Sequence, residues 1–244
     1  MKKTIKNILI KLSRFIFLIN KAINFVTPIE LKRIPKSKLK LKLEENLVEE
    51  TFENFKEQFK KSMLFSGSHL IREYVITTSL LNDKNKEYYY LEFGVWKGAS
   101  ANFFSKYVNK LHCFDSFEGL KEDWIGTGGP MGDCNLDKKI PKLNSNVQIT
   151  VGWVEDTLDD FLNKYNPKIN FIHFDMDTYS PTKFTLEKLK PYLIKNAIIL
   201  FDDLHSYIGW ENGEYKALKE VFSENEFEYK AFNLSGAQCA IQIK

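Results

Sequence analysis

Five short apolar segments, separated by stretches with helical periodicity, constrain the fold of this chain more than any other feature. They occupy residues 88–94, 111–115, 146–152, 169–175 and 196–202. They lack alternating polar residues, as expected for strands of a parallel sheet that is covered on both faces. Because strand and helix patterns alternate along the chain, the sequence predicts an α/β fold with a doubly wound, mostly parallel sheet. Two further strand patterns, at 227–233 and 237–243, close the sheet.

Size and charge limit the classes of protein to be considered. The chain has 244 residues, of which 43% are apolar, enough for the core of one α/β domain and a short appendage. Lys and Arg number 35 against 32 Asp and Glu, so we expect no uniformly basic face and no nucleic-acid partner. The three cysteines match no metal-ligand spacing and indicate a reducing, cytoplasmic compartment.

The N-terminal segment has the pattern of a basic amphipathic helix. Its apolar residues, from Ile5 to Ile23, recur at steps of three and four, and Lys11 and Arg14 interrupt the apolar run too early for a membrane span. Two interpretations of this helix stay open. The helix lies on the inner, anionic face of a membrane through residues 1–26, or it packs on the domain or on a second subunit in a homodimer.

The domain boundary is expected near residue 50. The Lys-rich segment from Pro35 to Leu47 has the composition of a linker, and the pattern becomes helical from about Phe52 to Leu81. We therefore divide the chain into a basic helix with its linker, 1–50, and one α/β domain, 51–244.

The turn after the first predicted strand, LEFGVWKGAS, has the character of a ligand-binding loop. It contains Glu92, Gly94 and Gly98, and Ser100 follows in the next helix. Glycine allows close approach of a ligand to the backbone, and a helix N-terminus offers free N–H groups to a carboxylate. The spacing is not that of the dinucleotide motif GxGxxG, which argues against a nicotinamide cofactor.

Residues at the ends of the next two strands extend this predicted site. Asp115 follows the glycine turn by about twenty residues, where a carboxylate accepts hydrogen bonds from the ribose hydroxyls of an adenosine, although Asp also caps helices well. Ser116 lies beside it. Gly152 and Trp153 would supply room and an aromatic face for a purine, unless Trp153 is only a core residue.

Acidic residues follow the fourth and fifth strands. Asp175 and Asp177 end the fourth strand, and Asp202 and Asp203 end the fifth. Adjacent parallel strands bring such ends together, and converging carboxylates repel one another unless a cation or protons compensate. Oxygen ligands suit Mg²⁺, so we predict a metal or acid–base site here. A single Asp at a strand end is more often a helix cap.

Two histidines and one long connection complete the predicted site. His173 is expected to be a packed side chain, whereas His205 is expected at the mouth of the cleft, where a base is useful. The region between Asp123 and Pro141 has no periodicity and is typical of a substrate lid.

Taken together, five motifs resemble those of the macrocin O-methyltransferase type of class I methyltransferases. They are LEFGVWKGASANFF, FDSFEGLKEDW, GWVEDTL, FIHFDMDTYSPTKFTLEKL and IILFDDLHSYIGWENGEYKAL, and they occur in the family's order within residues 88–244. The resemblance implies a Rossmann-like sheet of seven strands that binds S-adenosylmethionine, with Glu92, Gly94 and Gly98 around the methionine part and Asp115 on the ribose.

The same resemblance implies a divalent metal at Asp175, Asp202 and Asp203, with Asp175 at the catalytic centre and near the cofactor. It also implies transfer of a methyl group to a hydroxyl of a sugar or glycosylated small molecule. Thr178 stands where catechol-type relatives have a lysine, so the base is not carried over and His205 remains our own hypothesis. Two alternatives stay open: an adenine-nucleotide-dependent oxidoreductase, and a membrane-associated scaffold without catalysis.

Overall fold

The structure, a computed structural model, describes residues 37–244, and residues 45–244 form one compact unit. The predicted amphipathic helix between Ile5 and Val26 lies outside the described residues. Within residues 37–244, no helix combines the length and the apolarity needed to cross a bilayer.

Six α-helices, two short 3-10 helices (Lys190–Tyr192 and Trp210–Asn212) and eight strands are defined in the described residues. The helices are α1 (Lys38–Phe59), α2 (Ser68–Leu81), α3 (Ala99–Phe104), α4 (Val154–Tyr165), α5 (Tyr179–Leu189) and α6 (Glu214–Val221). The strands are β1 (Met63–Phe65), β2 (Tyr89–Phe93), β3 (Leu111–Asp115), β4 (Val147–Val151), β5 (Ile169–Phe174), β6 (Leu193–Phe201), β7 (Phe227–Asn233) and β8 (Cys239–Ile243).

The strands form one sheet in the order β1-β7-β8-β6-β5-β2-β3-β4. Strand β8 runs antiparallel to β6 and β7, and the other neighbouring strands are parallel. From β2 the chain moves outward to β3 and β4, then returns to β5 on the other side of β2. The order therefore reverses between β2 and β5, where doubly wound sheets bind their ligands. The predicted fold class is confirmed.

Three local predictions differ from the structure. The segment from Pro35 to Leu47 was expected to be a linker, but α1 begins at Lys38 and runs through the expected boundary at residue 50. The helical pattern from Phe52 to Leu81 is interrupted by β1, an eighth strand that pairs with β7. The helix expected over 97–108 is shorter, and α3 ends at Phe104.

Alternation along the central strands separates two sides of the sheet. One face carries a row of stacked rings, with centroid distances of 4.7 Å from Phe93 to Phe114, 5.5 Å from Phe93 to Phe174 and 5.5 Å from Phe174 to Phe201. The residue before each of these rings points to the opposite face. Glu92 and His173 therefore lie together beneath the carboxyl edge. Packing of the rings fixes the strand ends that carry the predicted site.

Candidate functional site

One cavity of about 500 Å³ lies at the carboxyl ends of the five central strands. It brings together both halves of the predicted site. The predicted residues that line it are Gly94, Ser100, Asp115, Ser116, Gly152, Trp153, Asp175, Asp202 and Asp203. The glycine turn and the aspartates thus share one cavity, as the strand ends indicated.

Gly94 joins the two halves directly. Its φ is +85°, and a Cβ at this position would lie 1.7 Å from the carbonyl oxygen of Asp175. The backbone after β2 therefore passes against the backbone after β5, at a distance that only glycine permits. Gly98, with φ +79°, directly precedes α3, and a Cβ there would lie 2.7 Å from the Leu143 side chain; it does not line the cavity.

Asp115 organises the glycine turn. Its Oδ2 accepts hydrogen bonds from the N–H groups of Val95 and Trp96, at 2.7 and 2.8 Å, and its Oδ1 accepts one from Phe117 at 2.7 Å. The carboxylate is therefore held rigidly at the cavity wall. Oδ2 already accepts two hydrogen bonds, but Oδ1 accepts only one and can accept another, so a ribose hydroxyl remains a suitable partner.

Glu92 acts from beneath the cavity. Its side chain is fully buried and does not line the cavity; Oε1 lies 3.1 Å from Nδ1 of His173. Nε2 of His173 lies 3.1 Å from Oδ1 of Asp202. Burial would lower the pKa of His173, but the hydrogen bonds to Asp202 and Glu92 outweigh it and raise this pKa to about 9. A protonated His173 therefore bridges two carboxylates, which agrees with the packed histidine that the sequence indicated.

The Oδ1 atom of Asp202 is surrounded by donors. Nη2 of Arg72 donates to it at 2.8 Å, and Gln238 Nε2 and His173 Nε2 also contact it. Burial would raise the pKa of Asp202, but His173, the charge of Arg72 and Gln238 hold it well below its ordinary value. Asp202 is therefore a fixed anion, and its Oδ2 remains for another partner.

Three further acids, Asp175, Asp177 and Asp203, crowd the same end of the cavity, and a fourth, Glu214, lies behind Asp203. Burial, followed by the negative charge of Asp202, raises the pKa of Asp175 and of Asp203 well above the ordinary value. Burial also raises the pKa of Asp177 to about 6. Glu214 is fully buried, and its Oε2 accepts a hydrogen bond from the Asp203 N–H at 3.0 Å. So many carboxyl groups in one place need protons or a cation to compensate them.

The donor set fits a hard divalent cation. Ligand atoms of His173, Asp175 and Asp202 lie within 4.8 Å of one another, and so do those of Asp175, Asp177 and Asp203. His173 is held by Glu92 and Asp202, so the groups left for a cation are carboxylate oxygens, which suit Mg²⁺. The sequence placed Asp177 in the acidic pairs of the predicted site but gave it no role of its own as a metal ligand or base. Its position in the second group, and its φ of +61°, could not be read from the strand pattern.

His205 does not lie at the cleft mouth, and that prediction is wrong. The side chain is 1% exposed, packs against Phe55 and Phe232, and approaches Gln238 O with Nε2 at 3.2 Å. Burial lowers its pKa to about 4, so the ring is neutral at pH 7. Because His205 does not line the cavity, its ring has no access to a substrate proton.

The opposite end of the cavity carries Trp153. The Nζ atom of Lys121 lies 5.3 Å from the Trp153 ring centroid and 2.9 Å from a carboxylate oxygen of Glu155. The long connection between β3 and β4 reaches over the cavity, and its residues Trp124 and Cys134 line it. The ring of Trp124 packs against Tyr207, with centroids 5.7 Å apart.

Comparison with known proteins agrees with this geometry. Residues 91–204 match a family model described as a methyltransferase domain. The matched segment starts within β2 and ends after β6, so it contains the glycine turn, Asp115 and the four aspartates. The segment that holds the candidate site is therefore the part of the chain that is similar to a methyltransferase domain. A search of curated proteins found no match.

Solved structures share the fold. CalS11, described as a calicheamicin methyltransferase, is 18% identical with a TM-score of 0.59, and the match covers 86% of this chain and 94% of that one. A second structure of CalS11, described as a TDP-rhamnose 3'-O-methyltransferase, is 19% identical with a TM-score of 0.53 and coverage of 86% and 96%. The O-methyltransferase NovP is 18% identical with a TM-score of 0.53 and coverage of 72% and 79%. At these identities the likeness establishes a shared fold.

Proposed function

We propose that this protein is an S-adenosylmethionine-dependent O-methyltransferase that methylates a hydroxyl of a sugar or glycosylated small molecule with the help of a divalent cation. The observation that carries the proposal is the contact of Gly94 with the Asp175 backbone inside one cavity. It puts a turn suited to a cofactor next to carboxylates suited to an acceptor. The sugar acceptor is supported by the fold shared with CalS11, described as acting on TDP-rhamnose.

The cofactor would occupy the part of the cavity between Gly94 and Trp153. Asp115 would accept hydrogen bonds from the ribose, and the Trp153 ring would lie against the purine. Gly94 and Ser100 would contact the methionine part, with Glu92 acting through His173 from below. Bound S-adenosylmethionine supplies an electrophilic methyl group.

The metal, Mg²⁺ in our proposal, would be held by Asp175, which belongs to both groups of ligand atoms, and by Asp203 and the Oδ2 atom of Asp202, which belong to one group each. Bound there, it supplies positive charge that lowers the pKa of an acceptor hydroxyl. The protein's own part is to keep the three carboxylates in place. Arg72, Gln238 and His173 hold Asp202 by its other oxygen, and the backbone N–H of Asp203 is fixed by Glu214.

Asp177 is the residue best placed to accept the acceptor's proton. It lines the cavity, its carboxyl group lies beside that of Asp203, and it is not needed to hold Asp202. With that proton on Asp177, the cavity walls would hold the acceptor oxygen against the methyl group that bound S-adenosylmethionine would supply, and a neutral thioether would be the by-product. Positioning by the cavity walls and proton removal by Asp177 are therefore the two tasks of the chain in this mechanism.

The test is transfer of a labelled methyl group from S-adenosylmethionine to a panel of nucleoside diphosphate sugars, starting with TDP-rhamnose, with and without Mg²⁺. Asp175→Asn and Asp203→Asn are expected to lose at least about 100-fold of the activity. Asp137→Asn is the matched control, because that carboxylate is 80% exposed on the long connection. Equal activity in all four proteins and in the presence of a chelator would contradict the metal role. Absence of transfer to every sugar, with cofactor binding intact, would contradict the acceptor class.

A further inference from the structure

Arg72 is a cavity residue that stands outside the matched methyltransferase segment. It comes from α2, and it lines the cavity together with Gly94, Asp175 and Asp202. Its side chain is 19% exposed. The strand-end patterns that located the other site residues give no signal for it, because it lies on a helix before the first of them.

The guanidinium of Arg72 uses little of its hydrogen-bonding capacity. Nη2 donates to Asp202, and Nε is buried without a hydrogen-bond partner. Among residues 37–244, no group accepts a hydrogen bond from Nη1, and Nη1 is absent from the buried atoms that lack a partner. Arg has five N–H donors in a planar fork that matches a carboxylate. A half-buried guanidinium with a free edge toward a cavity is suited to bind an anionic group there.

The other cations of the cavity lining are committed elsewhere. Lys121 pairs with Glu155 at the Trp153 end, and Lys97 lies 3.9 Å from the ring centroid of the exposed Trp96. Of the three Lys and Arg residues that line the cavity in the described part of the chain, Arg72 is thus the one beside the aspartates. An anion that enters this acidic end would be repelled unless a positive group pairs with it.

We propose that Arg72 binds the carboxylate of the cofactor's methionine part; the inference rests on the proposed function. The amino-acid end of S-adenosylmethionine carries one ammonium and one carboxylate group. The ammonium carries its own positive charge into this acidic end, whereas the carboxylate needs a cation at the same place. Arg72 meets that need, because Nη2 stays on Asp202 while Nη1 donates to the ligand. It is then a determinant of specificity for the complete amino-acid end.

The experiment compares two ligands by titration calorimetry. S-adenosylhomocysteine has both the amine and the carboxylate, and S-adenosyl-3-thiopropylamine keeps the adenosine, the sulfur and the amine but lacks the carboxylate. Arg72→Gln is expected to weaken binding of S-adenosylhomocysteine about 10- to 100-fold, the range of a charge-assisted hydrogen bond. Arg72→Gln should change the affinity for the amine ligand by less than about threefold, which is the size of effect that loss of an exposed charge usually has. The retained binding of the amine ligand also reports that the variant is folded.

Lys97→Gln is the matched control, since it removes a positive charge from the same cavity away from the aspartates. It should not discriminate between the two ligands. Equal weakening of both ligands by Arg72→Gln would overturn the inference, because Arg72 would then act only through Asp202. The same selective loss in Lys97→Gln would also overturn it. Wild-type protein that binds neither ligand would instead remove the proposed function, and this inference with it.

Discussion

The backbone of Gly94 lies against the carbonyl oxygen of Asp175, so closely that a Cβ at residue 94 would stand 1.7 Å from that oxygen. The contact follows from the pairing of β2 with β5, in which Phe93 is opposite Phe174. Because the two strands end side by side, the turn that would hold the cofactor is built directly on the segment that begins the acidic cluster. A displacement of either one displaces the other.

Gly94→Ala should therefore damage both the fold and the cofactor site. The new methyl group would force the strand ends apart, and the alanine would have to adopt a φ of +85°, which non-glycine residues rarely do. We therefore expect a loss of about 1–3 kcal/mol in the free energy of unfolding. Binding of S-adenosylhomocysteine should weaken at least about tenfold, because a shift of about 1 Å in a binding loop is costly. Denaturant unfolding and calorimetry measure the two effects.

Gly128→Ala is the control for this prediction. Gly128 lies on the long connection, and a Cβ there would meet nothing within 4 Å. Its stability and its affinity for S-adenosylhomocysteine should match the wild type. Equal behaviour of the two alanine variants would show that the contact with Asp175 does not constrain the site.

Replacement of His173 should destabilise the protein, because His173 holds together the buried charged groups beneath the cavity. His173 bridges Glu92 and Asp202 at 3.1 Å on each side, and its side chain is fully buried. His173→Phe leaves Glu92 as a buried carboxylate without its charged partner, so the free energy of unfolding should fall by about 3–5 kcal/mol. His69→Phe, at an exposed position, is the control and should change it by less than about 0.5 kcal/mol. A small loss in both variants would mean that the bridge contributes little to stability.

The central part of the fold could be predicted because its signal is local. Strands β2, β3 and β5 and the second half of β6 are mostly apolar and buried, and the residue type at the end of each is visible in the sequence. Parallel pairing then places Asp115, Asp175 and Asp202 at one edge without further information. The structure agrees with the prediction because both faces of these strand segments are buried. The apolar residues that give the sequence pattern are therefore the same ones that pack in the core.

The parts that could not be predicted depend on contacts between distant segments. Strand β1 has three residues, too few for a period, and it exists because Met63 pairs with Ala231 of β7. The Lys-rich start of α1 resembles a linker, although Phe55 further along this helix is fully buried against Phe232 and Trp210. His205 was expected at the cleft because it follows Asp203, but the chain turns it inward against these same rings. Residues close in the sequence predict neither the helical start of α1 nor the inward orientation of the His205 side chain.

Asp177→Asn should separate catalysis from binding. If Asp177 accepts the acceptor's proton, kcat should fall about 100- to 10,000-fold, the usual contribution of a general base. Affinity for S-adenosylhomocysteine should stay within about threefold of the wild type, because Asp177 makes none of the contacts that hold Asp115 or Gly94. Asp137→Asn, on the exposed connection, should retain full kcat. A parallel loss of cofactor affinity in Asp177→Asn would point to a structural role instead.

Stability should fall in mild acid through His112, which lies far along β3 from the acidic cluster. The ring is 8% exposed and packs among Tyr89, Phe161 and Tyr165, with centroid distances of 5.4, 5.2 and 5.5 Å. Burial, and then the positive charge of Lys110, lower its pKa from 6.5 to about 4. Because the folded state disfavours the proton, this contribution is present above pH 6.5 and is lost as the pH falls toward 4.

His112→Phe tests this by replacing the imidazole with a ring that cannot ionise. We expect the difference in unfolding free energy, wild type minus His112→Phe, to become less favourable to the wild type by at most about 2 kcal/mol between pH 7 and pH 5. Urea unfolding at the two pH values measures it, and the difference cancels every titrating group that both proteins share. A difference for His112→Phe that does not change with pH would show that His112 titrates in the folded protein as it does in the unfolded chain.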